Sequence, residues 1–62
     1  MIKRIEIEAI NGRFEVRLVE EVYGRARTKR RTICSSLAIA KSIAKSWSVQ
    51  NGSCQIKEMP AK

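Results

Sequence analysis

Between Arg25 and Arg31 the chain carries five basic residues in seven positions, Arg25, Arg27, Lys29, Arg30 and Arg31, with no acid among them. Such a run is suited to one kind of chemistry, the binding of phosphate. Cations that neutralise phosphates release condensed counterions, and arginine adds bidentate hydrogen bonds to phosphate oxygens or guanine edges. Four of the five are arginine, which favours recognition over simple solvation, a role lysine fills as well. Arg4, Arg13 and Arg17 extend the same candidate surface, and Tyr23, beside the run, is a candidate contact. Glu6, Glu8 and Glu15 are interspersed with them, and a role in orienting the arginines fits these carboxylates better than one in reading cytosine amino groups.

Other chemistries find little support. The chain has no histidine, so Ser-His and Cys-His nucleophile pairs and His-ligated metal sites are excluded within it. The acids are six glutamates with no aspartate. Glu20-Glu21 is an isolated pair at a turn, without a pocket in which to act as general acid and base. No Gly-rich phosphate loop, zinc spacing or nucleophile elbow occurs. The expectation is a non-enzymatic protein with no cofactor and no metal.

At 62 residues and a net charge of +7, the expectation is a single domain, 1–62, with one thin core. No apolar run approaches the ~20 residues of a membrane span. The N-terminus is charged at once (Lys3, Arg4), unlike a secretory signal, so a cytoplasmic, reducing setting is expected. Cys34 and Cys54 form no CxxC pattern and read as reduced, largely buried small hydrophobes.

The elements that must position the basic run follow from turn chemistry and periodicity. Asn11-Gly12 suits a two-residue type I′ turn, which needs positive φ at both central residues. That turn pairs Ile10 with Arg13, Ala9 with Phe14, Ile7 with Val16 and Ile5 with Leu18, which puts the apolar side chains on one face. Arg4, Glu6, Glu8, Arg13, Glu15, Arg17 and Val19 take the other. Glu8 then opposes Glu15, a like-charge pair that Arg13 and Arg17 are placed to relieve. Val22-Tyr23-Gly24 reads as a turn. Residues 25–34 read as a third strand with two phases. One places Thr28, Thr32 and Cys34 toward the core and Arg27, Lys29 and Arg31 on the open face; the other buries Ile33 and aims Lys29 and Arg31 inward. The first is preferred, and a bulge would reconcile the two.

From Ser35-Ser36, natural N-caps, the period changes to 3.6. Leu37, Ile39, Ala40, Ile43, Ala44 and Trp47 share one arc of a helix over 36–49, with Lys41 and Lys45 on its solvated side. Asn51-Gly52 stops it. Ser53 to Met59 alternates again, and Pro60 ends the strand. Phe14 and Trp47 fall on core faces, so the paired exposed aromatics of a single-strand RNA platform are missing. A right-handed crossover gives sheet order 3-2-1-4 in a small two-layer α+β domain, mostly antiparallel, with one helix on one face.

The run Asn11-Gly12-Arg13-Phe14-Glu15-Val16-Arg17-Leu18, the Gly24 turn, the basic strand ending Thr32-Ile33, and Ser36-Leu37 opening an Ala-rich helix closed by Trp47 resemble the arm-binding amino-terminal domain of phage and transposon tyrosine integrases. In that family a three-stranded sheet enters the DNA major groove, backed by a helix. The resemblance implies Arg17, Arg27, Lys29 and Arg31 at the DNA and Phe14 and Trp47 as packing. The expectation is therefore a small basic accessory or regulatory protein of a phage or mobile element, monomer or homodimer, binding duplex DNA through a cationic sheet face, with no membrane partner. Small phage inhibitors of host polymerase or defence nucleases share this layout of strands around one helix. The alternative is such an inhibitor or adaptor, taking an acidic host protein on the same basic face.

Overall fold

A computed structural model describes residues 2–59. The chain runs β1 (Ile2–Ile10), β2 (Arg13–Val22), β3 (Arg25–Cys34), α1 (Leu37–Gln50) and β4 (Gln55–Met59). The sheet order is β3-β2-β1-β4, with β4 parallel to β1 and the other neighbours antiparallel. The α+β class and strand order are those read from the sequence. So is the β1–β2 register, from Ile10 opposite Arg13 to Ile5 opposite Leu18. Asn11 and Gly12 take φ of 49° and 78°, as a type I′ turn requires. The helix occupies 37–50, one residue later than expected, and the last strand begins at Gln55. Pro60, expected to end that strand, lies outside the described residues.

The helix forms where the sequence supplies both caps. Ser36 Oγ accepts from the Ile39 N–H at 3.2 Å, and Asn51 Nδ2 donates to the Trp47 carbonyl at 2.8 Å. Gly52 and Ser53 then take positive φ, 79° and 64°, and turn the chain into β4, where Ser48 Oγ donates to the Cys54 carbonyl at 2.8 Å. Ala40 and Ala44, fully buried, let the helix approach the sheet closely over Ile5, Ile7, Val16 and Leu18, and Trp47 closes the core. Phe14, Ile43, Cys34 and Cys54 pack around this centre. Both cysteines are free, and they are half-buried rather than largely buried. Among the described residues no helix is long and apolar enough to cross a membrane.

The third strand is where the preferred phase needs correction. Phe14 faces Cys34, Val16 faces Thr32 and Leu18 faces Arg30, but Val19 faces Thr28 and Glu20 faces Arg27. Directly opposed residues share a face. Cys34, Thr32 and Arg30 therefore lie on the helix side as the preferred phase requires of Thr32 and Cys34, whereas Thr28 turns to the open face and Arg27 to the helix side. The cause is a conflict between two local demands. The turn at Tyr23-Gly24 closes with Val22 opposite Arg25, a two-residue loop, while the core pairing around Val16 needs a register one residue different. Lys29 takes up the difference as the extra residue of a β-bulge.

Candidate functional site

Two clusters of charge result, and they differ in kind. The first lies on the open face across β1 and β2. Arg4 Nε donates to Glu6 Oε2 at 2.8 Å and Arg4 Nη1 to Glu21 Oε1 at 3.1 Å. Arg17 Nη2 donates to Glu6 Oε1 at 3.2 Å, and Arg17 Nη1 donates to Glu15 at 3.0 Å and lies 2.9 Å from Glu8. Arg17 thus sits between the two glutamates whose opposition the hairpin register imposes. Hydrogen bonding from Arg4 holds the Glu6 carboxyl below its usual range, against the opposing effect of burial. Burial would lower the Arg17 guanidinium, but the charges of Glu6, Glu8 and Glu15 raise it. Hydrogen bonds to Glu6 and Glu21 raise Arg4.

The ion-paired cluster itself holds two arginines and four glutamates, with Arg31 and Lys57 beside it on the same face. It is also packed: Val19, on the same face, is only 5% exposed, since long arginine stems cover apolar surface while their heads stay polar. Alternation along the strands places these residues on one face but does not reveal this closure. Glu21, a member of the network, had no assigned role in the sequence, and its place opposite Ile2 in the register is the signal that identifies it. Arg4 and Arg17 are thus engaged internally, whereas Arg13, at the hairpin end, is exposed and forms no ion pair among the described residues.

The second cluster is β3 at the sheet edge. Arg25, Arg27, Lys29, Arg30 and Arg31 are all exposed, and among the described residues none is within ion-pair distance of a carboxylate. Their positions alternate across the strand. Arg31 joins the open face opposite Arg17, while Arg25, Arg27 and Arg30 lie on the helix side. The Arg30 guanidinium lies 4.6 Å from the centre of the Trp47 ring, a cation–π contact between β3 and α1. At the bulge, Thr28, Lys29, Arg30 and Arg31 line a shallow concavity of about 430 Å³. Tyr23 stands at the adjoining turn, with a second concavity of about 670 Å³ formed with Val22, Arg25, Ala26 and Arg27.

On the other side of the molecule, Lys41 approaches Glu58 at 3.8 Å with both side chains more than half exposed, and Lys45 is exposed. Of the expected site residues, the fold therefore gathers Arg25, Arg27, Lys29, Arg30, Arg31 and Tyr23 along one edge and sets Arg4 and Arg17 apart in the ion-paired cluster. Among the described residues no group of three metal-ligating side chains comes together. Comparison with protein-family models, with curated proteins and with solved structures gave no match.

Proposed function

We propose that this chain is a non-enzymatic, basic nucleic-acid-binding protein that grips duplex DNA along β3, in an accessory or regulatory role of the kind mobile elements carry. The observation that supports this reading is the contrast between the two clusters. Arg4 and Arg17, within the open-face cluster, are consumed by carboxylates, while five cations on the edge strand are exposed and outside any ion pair among the described residues. Alternate residues on a strand recur every ~6.8 Å, about twice the 3.4 Å rise per nucleotide of a DNA strand. A row of guanidinium groups at that repeat can follow a phosphate backbone. The grip is placed at the edge strand and its bulge rather than at the centre of the open face, because the central arginines Arg4 and Arg17 are already held by carboxylates.

The test is a fluorescence-anisotropy titration with mixed-sequence duplex over a range of salt. Each phosphate contact contributes about −0.9 to the slope of log K against log salt. Replacing Arg25, Arg27 and Arg30, which share one side of β3, together by alanine flattens that slope by up to ~2.7 if all three touch phosphates. Their exposure predicts that the variant stays folded, which circular dichroism checks. A parent protein that binds no duplex at moderate salt, yet captures an acidic protein in a manner abolished by the same triple change, is an inhibitor or adaptor instead.

A further inference from the structure

The chain contains two tight turns of nearly identical backbone geometry. Asn11-Gly12 has φ of 49° and 78°, and Tyr23-Gly24 has 52° and 77°. Asparagine suits the first position of such a turn, because its short polar side chain tolerates the left-handed region. Tyrosine has no such compensation, and a bulky residue there is an outlier. Nor does packing hold it in place: Tyr23 is 101% exposed, as open to solvent as in an isolated peptide. The residue strains the fold and gains no contact from it. Strain of this kind concentrates where the side chain is used.

The neighbours of Tyr23 indicate the use. Its concavity is also lined by Arg25 and Arg27, two arginines outside any ion pair among the described residues. A nucleobase lifted from its stack, still attached to its own phosphates, matches that pair of features: the ring offers a stacking surface and the arginines take the charge. Phe14 packs against the core and Trp47 belongs to it, so Tyr23 is the exposed aromatic of the chain. One ring serves one base, not a single-stranded run.

We infer that Tyr23 is a stacking platform for an extrahelical base, so that the protein prefers duplex DNA containing an unpaired nucleotide over intact duplex. The inference rests on the DNA-binding reading above and narrows its substrate.

The experiment compares a short intact duplex with the same duplex carrying one unpaired adenine, using the full chain and its Tyr23→Phe, Tyr23→Ala and Tyr23→Asn variants. The parent and Tyr23→Phe bind the bulged duplex more tightly. Tyr23→Ala and Tyr23→Asn lose about 5- to 150-fold on the bulged duplex, the range measured for removal of one stacking aromatic, and lose several-fold less on the intact one, so the preference between the two collapses. Tyr23→Asn also raises the Tm by about 4 °C or more, because asparagine relieves the turn. It is thus folded whenever the parent is. Equal binding of both duplexes by the parent, or a preference that survives in Tyr23→Ala, overturns the stacking role while leaving duplex binding in place. Equal losses on both duplexes overturn it too. A parent that binds neither duplex fails the DNA-binding reading itself, and the stacking role with it.

Discussion

Replacing Glu6 by glutamine tests whether the charged layer of the open face is structural. Its side chain is 11% exposed and bridges the two arginines, with Arg4 at 2.8 Å and Arg17 at 3.2 Å. Glutamine keeps the volume and one carbonyl acceptor, but it removes the charge and sets an amide donor against a guanidinium. Arg17 retains Glu8 and Glu15, and Arg4 retains Glu21, so no cation is stranded and the 3–5 kcal/mol typical of a broken buried pair is not expected. The loss is that of a charge-assisted hydrogen bond, about 1.5–3 kcal/mol. For a domain of this size that lowers the Tm by roughly 6–24 °C.

The pH dependence has a definite sign. Arg4 holds the folded Glu6 carboxyl below its usual 4.5. Its contribution is complete above the unfolded value and is lost as pH falls through the lower, folded one. The melting curves of parent and Glu6→Gln therefore lie far apart near neutrality and converge in acid. Thermal melts followed by circular dichroism across that range measure this, with Glu58→Gln as the control. The Lys41–Glu58 pair is exposed and long, so its loss changes stability by less than ~1 kcal/mol. Equal losses in the two variants, or a gap that persists unchanged into acid, would refute the assignment.

Ile5→Ala empties a fully buried position and costs about 2–5 kcal/mol; against the few kcal/mol of a chain this short, urea titration shows it at or beyond the edge of cooperative folding. Arg30→Ala removes the contact over Trp47, costs about 0.5–1 kcal/mol and changes the Trp47 emission, whereas Arg31→Ala leaves that emission unaltered. Replacing Lys41 and Lys45 by alanine lowers duplex affinity far less than the β3 substitutions do, because these residues lie on the helix; a larger effect in anisotropy titrations would move the interface to α1.

The parts of the fold legible in the sequence were those fixed by local chemistry. Asn11-Gly12 sets a register, the flanking alternation confirms it, and Ser36 and Asn51 bound a helix whose apolar arc needs a sheet to cover it. The strand order followed from the handedness of one crossover. The third strand resisted because a basic run has no apolar alternation to fix its phase. Its register is decided by two constraints at opposite ends, Tyr23-Gly24 and the core pairs of Val16 and Phe14; the sequence shows each and allows a bulge between them, but does not show where the bulge falls. The candidate site was legible in composition, not in partition. Which arginines remain free depends on cross-strand partners such as Glu21 for Arg4, and on the helix that brings Trp47 over to Arg30.

The parallel pairing of β4 with β1 carries a consequence for the order of assembly. Ile5 and Ile56 are partners although some fifty positions separate them, whereas the two hairpins join residues close in sequence. Closing the longer loop costs more chain entropy, so the expected order is the β1–β2–β3 meander with its helix first and β4 last. β4 is correspondingly expected to open first. Amide hydrogens of Gln55–Met59 exchange through local detachment while those of Ile5, Ile7 and Val16 wait for global unfolding. Each detachment also bares the outer edge of β1 and withdraws the Met59 sulfur from Arg17, which couples β4 to the middle of the charged layer.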